Sequence, residues 1–104
     1  VNSSNEVVKP KATKISRIKT AKKSITITWN KVKNVKGYEI QVATNKKFKK
    51  NTKKVLLKNK NISQTTIKKL KSKKKYFIRI RTYNYINGKF SYSKWINVKS
   101  AKTK

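Results

Sequence analysis

Apolar and polar side chains alternate with a period of two along most of this chain. SITITW (Ser24 to Trp29) places Ile25, Ile27 and Trp29 on one side and Thr26 and Thr28 on the other. GYEIQVA repeats the pattern, with Tyr38, Ile40 and Val42 inward and Glu39 and Gln41 outward. KYFIRIRTYNY sends Tyr76, Ile78, Ile80 and Thr82 to one face, and Phe77, Arg79, Arg81 and Tyr83 to the other. Strict alternation over such lengths marks half-buried strands. Weaker strands are expected at KISRIKT, an edge strand anchored by Ile15 and Ile18, and at VLLK, where Val55 and Leu57 share a face. SQTTIKKL adds Ile67 and Leu70, and a last strand is expected to hold Ile96 and Val98.

Turn chemistry separates these runs. NKVKNVKG ends on Gly37, and Asn87-Gly88 is the strongest hairpin signal in the chain, because both residues tolerate the positive φ of a type I′ turn. TNKKFKKNTKK is basic and loop-like apart from Phe48. No stretch has a helical period. Seven short strands with one apolar face each describe an all-β, antiparallel, immunoglobulin-like sandwich. Residues 1–10 read as a linker, 11–99 as the domain, and 100–104 (SAKTK) as a trailing tail.

Composition then constrains function. Lys and Arg number 31 against 2 Asp and Glu, a net charge of +29, with 35% hydrophobic residues. Such a balance ordinarily signals disorder. A thin sandwich, however, needs only one apolar face per strand, and lysine stems cover the outer faces while their ammonium groups stay wet. A chain of 104 residues buries roughly two-thirds of its unfolded surface. There is no cysteine or histidine, hence no disulfide, no thiol chemistry and no imidazole base. Glu6 and Glu39 alone make neither a calcium cage nor a glycosidase pair. The chain therefore reads as a non-enzyme without cofactor. No apolar run is long enough to span a membrane, and no leader pattern opens the sequence, which reads as a mature or excised piece. An AT-rich genome would itself inflate Lys, Asn and Ile, so the charge need not be selected.

These residues resemble a fibronectin type III module of the lysine-rich kind found in bacterial extracellular and cell-surface proteins. The resemblance rests on Pro10 before the first strand, ITITWNKV, GYEIQV, Leu70 followed by Tyr76, IRIRTYN, and SKWINV, and runs from about Pro10 to Lys99. It implies a core tryptophan at Trp29 and a corner tyrosine at Tyr76, its hydroxyl bonded to nearby backbone. With Tyr38, Ile40, Leu70, Ile78 and Ile80 these form the expected core. YINGKFS carries no Arg-Gly-Asp, so no integrin-type role is implied. The resemblance implies a spacer or supporting domain of a larger secreted or cell-surface protein, monomeric by itself, whose partners are neighbouring domains.

Two binding readings compete with that role. YFIRIRTYNYINGKFSYSKW mixes aromatics with Arg79 and Arg81. An open, planar face of this kind would stack on sugars; Trp95 lying across the arginines would instead close it as a cation–π ladder, resembling that of cytokine-receptor relatives. An unbroken register from a two-residue turn puts Trp95 opposite Ile80, pointing inward. A bulge or longer loop is therefore expected, turning Trp95 out and Ile96 and Val98 in. Glu39 is expected to form an exposed ion pair with Arg79 or Arg81. The second reading is a polyanion- or glycan-binding adhesion module using Lys46, Lys47, Lys49, Lys50, Lys53 and Lys54, together with Lys73, Lys74 and Lys75. Cell-wall or host polyanions are its candidate ligands. Lysine runs give salt-dependent, sequence-blind attraction, and no motif points to specific nucleic-acid recognition.

Like-charge repulsion makes a first prediction. Raising salt from low to moderate concentration should raise the melting temperature, because screening relieves the mutual repulsion; a flat melting temperature would contradict this.

Overall fold

The computed structural model describes residues 9–96 and 98–104. The expected linker 1–10 thus lies mostly outside the described residues. Within them the chain forms eight strands and no helix: β1 (Ile15–Ala21), β2 (Ser24–Trp29), β3 (Gly37–Ala43), β4 (Lys53–Leu57), β5 (Gln64–Ile67), β6 (Lys75–Ile86), β7 (Lys89–Tyr92) and β8 (Lys99–Lys102). One sheet has the order β1-β2-β5; the other runs β4-β3-β6-β7, with β8 also pairing β6. All pairings are antiparallel. The two sheets form the expected sandwich, its last strand split into β7 and β8.

The inward positions of the two sheets meet in one core. Ile25, Ile27, Trp29, Tyr38, Ile40, Val42, Ile78 and Ile80 are each 0–2% exposed, and Leu70 and Tyr76 close the core at 5% and 3%. Ile15 and Ile18 are three apart, so a regular strand would face them oppositely. A register shift between Ile15 and Arg17 corrects this, and Ile18 packs against the core that Ile15 joins. The Trp29 and Tyr38 rings meet at 5.3 Å between centroids. The Tyr38 hydroxyl donates to the Lys60 carbonyl (2.8 Å) and accepts from the Val32 N–H (3.0 Å), fixing two connections at one end of the sandwich. At the other end the Tyr76 hydroxyl accepts from the Lys71 N–H at 2.9 Å. A Cβ on Gly37 would lie 1.9 Å from the Leu57 carbonyl oxygen, so only glycine permits β3 to start against β4.

The C-terminal expectation needs correction. SAKTK is no tail: Lys99–Lys102 is β8, paired with β6 from Lys75↔Lys102 to Ile78↔Lys99. Ala101 packs against the core, and Thr103, 2% exposed, donates to the Lys71 carbonyl and accepts from the Lys74 N–H. Small residues such as Ala and Thr give little alternation signal, which is why this strand is hard to read from sequence. Val98, expected in the core, is 49% exposed.

Replacing Tyr76 by Phe removes the only side-chain acceptor for a part-buried N–H. Stability should fall by about 1–3 kcal/mol, measured by denaturant unfolding; an unchanged midpoint would refute the structural role of this hydroxyl.

Candidate functional site

The two faces of β3 differ in polarity but not in exposure. Every residue from Gly37 to Ala43 is buried, including Glu39 (8%) and Gln41 (7%) on the side away from the core. The register explains the polar part of this burial. Glu39 lies opposite Arg81 and Gln41 opposite Arg79. The Arg81 Nε–H donates to Glu39 Oε1 at 2.6 Å, and two N–H groups of Arg79 converge on Gln41 Oε1, the Nε–H at 2.8 Å. Glu39 is therefore not the exposed partner expected from alternation. Its side chain is 11% exposed, because aromatic rings roof the arginines that cover it.

Those rings come from three separate places in the sequence. The Arg79 guanidinium carbon lies 4.1 Å from the Trp95 ring centroid and 4.2 Å from that of Phe48. Arg81 lies 4.3 Å from Trp95 and 3.7 Å from Tyr92. The series Phe48, Arg79, Trp95, Arg81, Tyr92 is thus a continuous alternation of rings and cations across the sheet. It extends to Phe90, whose ring is parallel to that of Tyr92 within 6° at 5.8 Å, and to Tyr85, 4.7 Å from Phe90. Burial and the neighbouring Arg81 charge hold the Arg79 guanidinium below its ordinary pKa, with Glu39 opposing the shift. Burial, followed by the proximity of Tyr92, pushes the Tyr83 hydroxyl up.

Trp95 reaches this face through a local break in pairing. Asn87 (φ 54°) and Gly88 (φ 77°) close a two-residue turn, and the register is regular from Ile86↔Lys89 to Tyr83↔Tyr92. The turn itself therefore needs no bulge. The irregularity comes later: Tyr83 and Ile78 are five positions apart, whereas their partners Tyr92 and Lys99 are seven apart. Two extra residues preserve the parity of β7 and β8 while releasing Trp95 from its place opposite Ile80. Ser93 anchors the break. Its Oγ accepts from the Thr82 N–H (3.0 Å) and donates to the Lys94 carbonyl (3.1 Å). Contrary to expectation, Ile96 and Val98 gain no place in the core by this shift, since Ala101 takes the inward position opposite Tyr76.

Phe48 was not singled out by sequence reasoning for this face. It sits in a tight connection between β3 and β4, where the Asn45 side-chain oxygen accepts from the Lys49 and Lys50 N–H groups at 2.9 and 3.1 Å. Its φ of 56° is unfavourable for a bulky residue. The ring is nevertheless 8% exposed, so packing on Arg79 offsets the backbone strain. An isolated aromatic in an otherwise polar, basic loop was the available signal.

A family model described as the fibronectin type III domain matches residues 9–99. The chain belongs to the fibronectin type III family. Solved structures agree on the fold. The chicken CNTN1 FN1-FN3 domains share 23% identity over 88% of this chain and 29% of theirs, with a TM-score of 0.68. A beta-1,2-glucanase from Parabacteroides distasonis shares 18% over 94% of this chain and 13% of its own, at a TM-score of 0.72. The fn3 domain of human collagen alpha-1(XX) chain shares 16% over 96% and 90%, at 0.66. This fibronectin type III domain thus spans less than a third of the first two chains. No curated protein matches the sequence. Fibronectin type III domains are generally non-catalytic modules, and no helix among the described residues is long and apolar enough to cross a membrane.

In this fibronectin type III domain the sequence-predicted lysines do not gather into one site. Lys46, Lys47, Lys49 and Lys50 are exposed on the β3–β4 connection, Lys54 is exposed on β4, and Lys73 and Lys74 are exposed before β6. Lys53 is partly buried, its ammonium donating to the Lys68 and Lys69 carbonyls at 2.9 Å each, and the Lys75 ammonium lies 5.2 Å from the Phe77 ring.

Trp95→Ala removes two guanidinium contacts and partly buried ring area. We expect a loss of about 2–3 kcal/mol in unfolding free energy; a change within about 0.5 kcal/mol, the range of ordinary surface substitutions, would contradict the ladder's structural role.

Proposed function

We propose that this domain is a non-catalytic supporting module of a larger secreted or cell-surface bacterial protein, monomeric by itself and partnered by neighbouring domains of the same polypeptide. The observation that carries this reading is the closure of the arginine–aromatic face. A sugar-stacking platform needs open ring faces, whereas here Trp95, Phe48 and Tyr92 stack on Arg79 and Arg81 of the same chain. The centre of the most suggestive stretch therefore binds itself, and its product is a stiff sheet. A stiff module with little internal freedom suits a spacer that holds other domains at a fixed separation. Modules of similar fold occur within far longer chains, the beta-1,2-glucanase among them, which supports a place beside catalytic or adhesive domains.

The test is a module exchange in the parent protein. Replacing this domain by an unrelated β-sandwich of similar length should leave the parent's activity unchanged, whereas deleting it should reduce activity or stability. Loss of activity on exchange, with the replacement correctly folded, would contradict a purely supporting role.

A further inference from the structure

The chain has two glycines, and only Gly88 follows an asparagine. That Asn-Gly pair makes up the whole β6–β7 turn. Asn87 and Gly88 take φ of 54° and 77°, and the flanking pair Ile86↔Lys89 begins a regular register. In a two-residue hairpin turn the flanking residues bond each other across the strands, which leaves the N–H of the second turn residue outside the ladder. The Gly88 N–H is therefore not protected by β pairing. Both turn residues are exposed. Beyond the chain neighbours of Gly88, no described atom lies within 4 Å of where its Cβ would stand, so the backbone nitrogen is open to approach.

An asparagine carries an electrophile beside the following backbone nitrogen. Cγ of Asn87 and the nitrogen of Gly88 close a ring through atoms already bonded in sequence, and glycine hinders that closure least. Charge favours it further. The nitrogen attacks as its conjugate base, and positive surroundings favour an anion. Asn87 borders a concavity whose charged side chains are all lysines: Lys9, Lys11 and Lys14 before β1, Lys31 and Lys33 between β2 and β3, and Lys89 after the turn.

We propose that Asn87 is a self-modifying site, converted in the folded domain without an enzyme and with water as the only co-reactant. The Gly88 nitrogen attacks Cγ of Asn87. The new N–Cγ bond forms, the Cγ–Nδ2 bond breaks, and Nδ2 leaves as ammonia with the proton that the Gly88 nitrogen gives up. Water then opens the succinimide at either carbonyl, its hydroxyl going to the carbon and its proton to the released nitrogen. Opening at Cγ gives aspartate, which keeps the turn, because Asp-Gly suits the same geometry. Opening at the main-chain carbonyl gives isoaspartate, whose backbone runs through Cγ and is longer by a methylene. Register in a hairpin is fixed by its turn, so the Ile86↔Lys89 and Tyr85↔Phe90 pairs slip. The contacts of the Phe90 ring with Tyr85 and Tyr92 loosen with them. Trp95 on Arg79 and Arg81 lies farther along β6 and keeps its partners. The site thus acts as an irreversible clock on the hairpin tip. This goes beyond the supporting role and does not depend on it.

The test incubates the folded chain near neutral pH and follows its fragments by mass spectrometry, with chromatography separating aspartate from isoaspartate. Asn87 should convert while Asn45 and Asn84, whose side chains are hydrogen-bonded, remain amides. The rate should rise about tenfold per pH unit, as the fraction of any weak acid's conjugate base does, and fall as salt screens the lysines. Conversion only in denaturant, or equal conversion of the three asparagines, would overturn the proposal, as would a rate indifferent to pH or to salt. The isoaspartate fraction should melt below the unmodified protein, whereas Asn87→Asp, with the same added charge on an ordinary backbone, should not. Equal melting of these two would overturn the assigned slip in register.

Discussion

Two guanidinium groups, Arg79 and Arg81, organise the outer face of the larger sheet. Each meets a polar partner on β3 beneath and aromatic rings beside it. A charge removed from water needs compensation, and here it is divided between a carboxylate or amide oxygen and the π faces of Phe48, Trp95 and Tyr92. The arrangement makes other features intelligible. Glu39 is tolerated at 8% exposure because Arg81 covers it. Phe48 adopts an unfavourable φ because its ring packs on Arg79. The last strand breaks into β7 and β8 because Trp95 must leave the backbone pairing with β6 to lie across both arginines.

This layer acts as a second, polar core on the far side of the sheet. The apolar core between the sheets is thin, as the 35% hydrophobic content requires. An isolated exposed ion pair contributes about 0–1 kcal/mol, and an exposed cation–π contact a similar amount. Four such contacts joined to two hydrogen-bonded side-chain pairs form a network, where removal of one member exposes the others. With a net charge of +29, fixing two of the cations against rings and a carboxylate also limits their repulsion. Toward the hairpin tip the layer ends on Tyr85 and Phe90, 47% and 48% exposed.

Much of the fold was legible because alternation is a strong signal wherever the inward residues are large. β2, β3 and β6 follow directly from Ile25, Ile27 and Trp29, from Tyr38, Ile40 and Val42, and from Tyr76, Ile78 and Ile80. β8 was not legible, since Ala101 is small and its inward role depends on pairing with Tyr76 of β6, while the buried place of Thr103 depends on hydrogen bonds to Lys71 and Lys74 before that strand. The side on which Trp95 lies was an open question of register, because one residue of slip reverses it. The structure resolves the question by a two-residue offset after β7, anchored by Ser93, with Val98 left outside the core. The place of Phe48 on this face needed three dimensions, because Arg79 lies far from it in sequence and no local period connects the two.

The central claim is that Trp95 and the arginines stabilise the domain through each other, not merely side by side. A double-mutant cycle combining Trp95→Ala with Arg81→Ala, read by denaturant unfolding, measures that coupling directly. The account predicts that the double variant is more stable than the two separate losses would give if added, with a coupling of about 0.5–2 kcal/mol. Additive losses, within about 0.3 kcal/mol, would contradict it.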